Sequence, residues 1–176
     1  MQSSIERGPK YTLLYDVINN YCTEYVTGMS RMKYVKDKEA YECVKLICEF
    51  VIQQNEKQFK HFLKNVRSQR RISSIFNSMI EDCINWGRVM VMIAFTAYAV
   101  KYFTENDINM EEDLTVVVTD ILSSKYGAWF EVEGYWKGIR THKNNIKRFQ
   151  TLKNIIKVSM FVIATLVIVR FCFLLI

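Results

Sequence analysis

The sequence predicts an all-α protein, in which a central apolar helix at about residues 86–103 is wrapped by amphipathic helices and followed by a C-terminal transmembrane helix. Three observations support this fold class. The 176 residues include 6 Gly and a single Pro, so few residues suited to hairpin turns are present. Apolar side chains recur at helical spacing along most of the chain. Near the C terminus, one stretch is apolar almost throughout.

The chain is long enough to bury one hydrophobic core but short for two ordinary domains and a linker. We therefore expect three successive regions. Residues 1–142 form the helical domain, residues 143–154 form a basic linker, and residues 155–176 form a membrane anchor.

Four amphipathic helices are predicted before the central helix. Apolar residues at helical spacing mark the first helix at 11–25, and Gly28 is expected to end it. The same periodicity predicts a second helix at 41–52, a short third helix at 59–63 and a fourth helix at 72–80. Each of these helices would bury one face in the core.

The central helix from Trp86 to Phe103 is apolar on all sides, interrupted mainly by Gly87, Arg88 and Lys101. A helix of this kind belongs in the centre of a bundle, and with polar breaks near both ends it is too short for a membrane span. Acidic residues at 111–113 then suit the N terminus of a sixth helix at 114–122. Aromatic residues between 129 and 139 predict one or two short closing helices.

The C-terminal stretch from Val158 to Ile176 contains a single charged residue, Arg170. A helix of this length extends about 28 Å, close to the ~30 Å thickness of the hydrocarbon core. Because basic residues precede it, the positive-inside rule leaves residues 1 to about 154 in the cytosol. The alternative is a buried terminal helix of the globular domain.

The charge pattern and the motif content exclude several classes of function. The net charge of +6 comes from Lys and Arg residues that are interspersed with Asp and Glu, so nucleic-acid binding is not expected. The excess basic residues between 137 and 157 precede the apolar stretch and suit a membrane surface. The chain has two histidines, and its Ser30–Lys33 match to Ser-x-x-Lys lacks the partner motifs. We expect no enzyme activity, cofactor, metal ion or small-molecule substrate.

The most informative cluster is Asn85-Trp86-Gly87-Arg88 at the start of the central helix. A guanidinium beside a buried helix must face an open groove or meet a partner, because an unpaired buried charge is costly. Gly87 lowers helix propensity by about 1 kcal/mol relative to Ala, so close approach of another backbone would explain it. Alternatively, Asn85 caps the helix, Trp86 packs in the core and Arg88 pairs within the chain. These four residues alone leave both interpretations open.

This cluster resembles the first homology region of the B-cell lymphoma 2 (Bcl-2) family. The segment from Trp129 to Trp136 resembles the family's second homology region, except that Tyr135 replaces the second residue of a Gly pair. Among members of the family, the chain is similar to viral, avian-poxvirus-like pro-survival homologues. The third homology region differs, because Cys48-Glu49 stands where a Gly-Asp pair is typical. That departure argues against a death-promoting role.

The resemblance implies an inhibitor of apoptosis that sequesters the Bcl homology 3 (BH3) helices of Bak, Bax or Bim-like proteins in a hydrophobic groove. Arg88 would pair with the partner's aspartate, and Asn85 and Gly87 would lie beside it. Apolar side chains would line the groove, namely Val51, Phe59, Phe62, Ile75, Phe76, Met79, Val91 and Phe95.

The resemblance also implies a location and leaves two rival functions open. The anchor would hold the domain at the mitochondrial outer membrane of the host cell, facing the cytosol, with the endoplasmic reticulum as the alternative. The rivals are a death-promoting, membrane-permeabilising member of the same fold and a fold-related viral inhibitor of inflammatory signalling.

Overall fold

The computed structural model describes residues 8–65, 69–81, 83–109 and 113–144. All regular elements in these ranges are helices, as predicted. They are α1 (Pro9–Thr27), a 3-10 helix (Met32–Tyr34), α2 (Lys38–Asn65), α3 (Gln69–Ile80), α4 (Trp86–Glu105), α5 (Leu114–Val132) and α6 (Trp136–Asn144).

Helix α1 has sequence signals at both ends. Pro9 lies at the first helical position, where its missing N–H costs nothing. At the other end, Gly28 adopts the left-handed conformation (φ 71°), and its N–H donates to the Glu24 carbonyl at 2.8 Å. The buried face of α1 packs against α4 and α5.

Helix α2 is one continuous helix of 28 residues, whereas the sequence pattern indicated two helices separated by a polar stretch. The stretch between them contains neither Gly nor Pro, so nothing in it breaks a helix. Asn55 lies within it and is buried, and its side-chain amide donates to the Val51 carbonyl at 2.7 Å. The buried stripe therefore continues from Val51 through Asn55 to Phe59.

Helix α4 is the central helix, as its apolar composition predicts. It contacts α1, α2, α3 and α5, and most of its residues from Trp86 to Phe103 are buried. Its one buried hydroxyl, on Thr96, donates to the Met92 carbonyl at 2.8 Å. That hydrogen bond satisfies the polar group within the core.

Helix α5 extends to Val132, beyond the predicted end near residue 122, so it includes Trp129 and Phe130. Its C terminus has the two hydrogen bonds of a Schellman motif, from Tyr135 N to the Phe130 carbonyl at 2.7 Å and from Gly134 N to the Glu131 carbonyl at 3.0 Å. The chain then turns into α6, the single closing helix in the described part of the chain, which packs against α2.

The predicted anchor, residues 155–176, and nearly all of the predicted linker lie outside the described residues. Among the helices that are described, none combines the length and the apolar character needed to cross a membrane.

Candidate partner-binding site

The start of α4 is organised by Asn85. Its backbone is extended, and its side-chain oxygen accepts a hydrogen bond from the Arg88 N–H at 3.0 Å, which makes Asn85 the N-cap. Gly87 is exposed, and a Cβ added there would lie 3.2 Å from the same side-chain oxygen. The absence of a side chain at residue 87 therefore leaves room for the cap.

Arg88 links the start of α4 to the end of α3. One guanidinium nitrogen, Nη1, donates to the Met79 carbonyl at 2.9 Å and to the Cys83 carbonyl at 3.0 Å. Met79 lies in the last turn of α3, where carbonyls lack partners within the helix. The half-buried Arg88 thus has a structural role inside the chain, and Nε and Nη2 take no part in these two hydrogen bonds.

The predicted groove residues include four phenylalanines that form one aromatic cluster. The Phe95 ring in α4 lies 5.1 Å from Phe59, 5.6 Å from Phe62 and 6.0 Å from Phe76, measured between ring centroids. All three contacts are edge-to-face, the geometry that aromatic quadrupoles favour. The cluster therefore joins α2, α3 and α4 at the place where the groove was predicted.

Most of the predicted lining is inaccessible in this structure. Phe62 and Ile75 are half-buried, whereas the other six apolar residues are 0–6% exposed, namely Val51, Phe59, Phe76, Met79, Val91 and Phe95. These six pack as core residues between α2, α3 and α4. The side chains that would line the groove are thus covered in this structure, and a partner helix could bind them only after some become exposed.

Helix α3 is held over this cluster by contacts with α5 as well as by Arg88. The Tyr126 hydroxyl donates to the Ile80 carbonyl at 2.9 Å, and Lys125 Nζ donates to the Asn77 side chain at 2.6 Å. Burial is the main cause that raises the pKa of Tyr126. The phenol therefore stays protonated at neutral pH and remains a donor to α3.

The two sequence motifs meet in a tryptophan cluster. The Trp86 ring lies 5.1 Å from Trp129, 5.7 Å from Phe130 and 6.0 Å from Trp136. The Trp86 indole N–H donates to the Glu133 carboxylate at 2.8 Å. The second motif thus fixes the first turn of the helix that carries Arg88.

Three residues of this region have structural roles that the sequence did not reveal. Glu133 accepts the Trp86 hydrogen bond, Gly138 provides the space beside that indole, and Tyr135 has a positive φ of 53°. The resembled motif has a Gly where this chain has Tyr135. That difference indicated the left-handed backbone of Tyr135, because Gly adopts this conformation without strain. Glu133 and Gly138 carried no local signal, since their roles depend on contacts with Trp86.

Comparisons with known proteins agree with the two motifs. A family model for apoptosis regulator proteins of the Bcl-2 family matches residues 44–136. The apoptosis regulator Bcl-2 homolog of fowlpox virus (strain NVSL) is 33% identical over 175 residues, which cover 98% of each chain. The corresponding canarypox virus protein is 30% identical over 172 residues, which cover 97% of this chain and 98% of that protein.

A solved structure gives a similar result. The crystal structure of an FPV039:Bik BH3 complex has a TM-score of 0.68 and 31% sequence identity, covering 78% of this chain and 99% of that chain. These comparisons confirm the predicted family resemblance and the Bcl-2-like helical fold. They indicate no enzymatic family.

Proposed function

Since this chain belongs to the Bcl-2 family of apoptosis regulators, we propose that it inhibits apoptosis by sequestering the BH3 helices of pro-apoptotic proteins between α2, α3 and α4. The structural relative that was crystallised with a Bik BH3 supports this proposal, because it shares the fold over most of the chain. As part of this proposal, Asn85 and Gly87 lie beside the partner's aspartate, and the eight predicted apolar residues line the groove.

The observation that carries the proposal is the position of Arg88 beside the aromatic cluster. Arg88 is bonded to the C-terminal end of α3, and Phe76 of the same helix packs on Phe95. A cation and a cluster of apolar side chains therefore lie along one helix. An amphipathic partner needs this combination, because its apolar anchors bind the groove while one carboxylate fixes its register.

Binding requires the cluster to open. Outward movement of α3 would uncover Phe59, Phe62 and Phe95 while the tryptophan cluster holds the start of α4 in place. Each fully buried apolar anchor of the partner would contribute about 1.5–3 kcal/mol. The cost of opening and the ordering of the partner helix offset part of this gain.

The proposed partners are Bak, Bax and Bim-like proteins, and the proposed place of action is the mitochondrial outer membrane. The sequence pattern of residues 155–176 supports a C-terminal membrane anchor with the domain in the cytosol, and the endoplasmic reticulum is the alternative membrane. The expected consequence is that the outer membrane of the host cell stays impermeable and the cell survives.

A double-mutant cycle tests the proposal. Two proteins are compared, residues 1–154 and the Arg88→Ala variant of the same residues. The dissociation constant of each is measured with labelled Bim BH3 helix and with the same helix carrying Ala in place of its aspartate. If the two groups pair, their coupling should be about 1.5–3 kcal/mol, because one partner is a charged hydrogen-bonding group. This corresponds to roughly 10- to 150-fold in affinity.

The control is Lys33→Ala, which removes an exposed positive charge beyond the N-terminal end of α2 and should leave affinity unchanged. If the Arg88 and aspartate losses are simply additive, Arg88 is a structural residue and does not select the partner. Absence of binding by a correctly folded protein would contradict the proposed function as a whole.

A further inference from the structure

The segment Met29–Lys38 between α1 and α2 combines exposed apolar and basic side chains. Met29 is 71% exposed and Tyr34 is 53% exposed, although both are large and apolar or aromatic. Basic residues recur along the same ten positions, namely Arg31, Lys33, Lys36 and Lys38. Neither the aromatic cluster nor the tryptophan cluster uses these residues.

Tyr34 is the centre of this segment. The Arg31 guanidinium carbon lies 4.3 Å from the centre of the Tyr34 ring, and Lys33 Nζ lies 4.8 Å from it. These are cation–π distances. Cations and an aromatic ring are therefore already arranged together at the surface, with Lys33 and Tyr34 both exposed.

Three nearby carboxylates are paired with cations outside the segment, and a fourth, Asp16, accepts a hydrogen bond from the Lys36 N–H at 2.9 Å. Asp37 and Glu39 form ion pairs with Arg140 of α6, and Glu24 forms one with Lys45 of α2. Arg140 and Lys45, both outside the segment, therefore compensate two of these three negative charges. The four basic side chains of the segment outnumber the remaining carboxylates, so the segment keeps a net positive charge.

The same ion pairs place the segment beside the end of the described chain. Arg140 lies in α6, from which residues 145–176 continue, and it contacts both Asp37 and Glu39. The sequence of residues 158–176 suits a membrane span. Thirteen residues, 145–157, separate α6 from that stretch, so a chain that enters a bilayer there would tether the segment Met29–Lys38 within about 45 Å of the membrane surface.

We propose that the segment Met29–Lys38 docks on an anionic lipid bilayer. Lys33, Lys36 and Lys38 bind the headgroup layer, while Met29 and Tyr34 enter the interfacial region that amphipathic aromatic residues favour. This inference rests on the proposed membrane attachment and is independent of partner-helix binding. The docked segment would fix the orientation of the whole domain on the membrane.

Hydrogen–deuterium exchange of the full chain on vesicles tests the inference. The protein is reconstituted in phosphatidylcholine vesicles and in vesicles that contain 30% phosphatidylserine, and exchange is followed for backbone amides of residues 29–36. Each basic side chain near an anionic surface strengthens attachment by about fivefold. With Lys33, Lys36 and Lys38 engaged, exchange on the anionic vesicles should slow by roughly 125-fold, of which Lys33 and Lys36 account for roughly 25-fold.

The double variant Lys33→Glu/Lys36→Glu should lose this protection, and so should the wild type in 0.5 M salt, because ions screen surface attraction. The matched control is Lys57→Glu/Lys60→Glu, which changes the charge equally at two exposed positions near the other end of α2. This control should keep the protection. An unchanged circular dichroism spectrum and thermal midpoint show that each variant is folded.

Two outcomes would overturn the inference. If the protein attaches to both vesicle types and the exchange is equal on each, the segment does not dock on anionic lipid. An acidic protein would then be the remaining kind of partner for it. Failure to attach to either vesicle would overturn both this inference and the proposed membrane attachment, while BH3 binding in solution would still support the groove.

Discussion

Residue 138 packs so closely against Trp86 that only a glycine fits there. A Cβ at residue 138 would lie 2.7 Å from the Trp86 indole nitrogen and 2.7 Å from a Glu133 carboxylate oxygen. The carboxylate could move, but the indole is buried among three other aromatic rings. A side chain there would therefore displace the hydrogen bond that fixes the start of α4.

We predict that Gly138→Ala lowers the free energy of unfolding by about 1–3 kcal/mol, the usual cost of overpacking a core. The control is Gly127→Ala in α5, where an added Cβ meets nothing within 4 Å. That change should be stabilising by up to about 1 kcal/mol, because Ala favours a helix more than Gly does. Urea denaturation measures both, and an equal effect of the two substitutions would contradict the assigned role of Gly138.

The sequence predicted part of this site and missed the rest for a physical reason. Asn85, Gly87 and Arg88 could be identified because three unusual residues stand together before an apolar helix. Glu133 could not, since its importance comes from a contact with Trp86, 47 residues earlier in the chain. The hydrogen bonds of Arg88 to the Met79 and Cys83 carbonyls could not be predicted from the sequence either, because every residue type has a backbone carbonyl.

At the scale of helices, continuity was harder to predict than the presence of a helix. The polar stretch around Asn55 interrupted the apolar pattern, so two helices were expected where α2 is continuous. The buried side-chain amide of Asn55 bonds to its own helix, which allows a polar residue within the buried stripe. By contrast, the α4 bounds agreed closely with the sequence pattern, because its apolar composition begins and ends sharply.

Glu24 joins the end of α1 to α2. Its carboxylate accepts hydrogen bonds from Lys45, from the Tyr41 hydroxyl and from the Arg31 N–H. Burial alone raises the pKa of the Glu24 carboxyl. The three hydrogen bonds outweigh that effect and lower the pKa from its ordinary 4.5 to about 2.

This lowered pKa gives the direction of a pH effect. The unfolded chain binds a proton at Glu24 more readily than the folded chain does, so the stabilisation is fully present above about pH 4.5 and is lost as the pH falls towards 2. We predict that Glu24→Gln lowers the free energy of unfolding at pH 7 by up to about 3 kcal/mol.

Urea midpoints at pH 7, 5 and 3 provide the measurement. The difference between wild type and Glu24→Gln should shrink as the pH falls below 4.5, whereas the exposed Glu56→Gln should differ little from wild type at any pH. A difference that stays constant over this pH range would show that Glu24 acts by packing and that its charge is unimportant.

For the molecule as a whole, the covered groove lining makes partner binding a conformational event. Apart from the half-buried Phe62 and Ile75, the predicted lining is buried between α2, α3 and α4. The proposed association would therefore follow the proposed movement of α3. The observed rate of association should therefore approach a plateau as the concentration of BH3 helix rises, with initial rate constants below about 10⁵ M⁻¹s⁻¹. Stopped-flow anisotropy measures this dependence.

The Tyr126→Phe variant tests which element opens. It removes the hydrogen bond to the Ile80 carbonyl that holds α3 to α5. The plateau rate should rise by roughly 2- to 12-fold, which corresponds to a net hydrogen bond of about 0.5–1.5 kcal/mol. Tyr34→Phe, in the segment before α2, should leave the rate unchanged. A linear, fast association in the wild type would show that the groove is accessible without opening.

The tryptophan cluster has a spectroscopic consequence. The chain contains three tryptophans, and Trp86, Trp129 and Trp136 all belong to that one cluster. Tryptophan fluorescence therefore reports on the junction of α4, α5 and α6, while the phenylalanines around Phe95 contribute almost no signal. Global unfolding would change this emission strongly, whereas a tryptophan-free partner helix in the groove would change it only through a shift at the start of α4, where Trp86 lies.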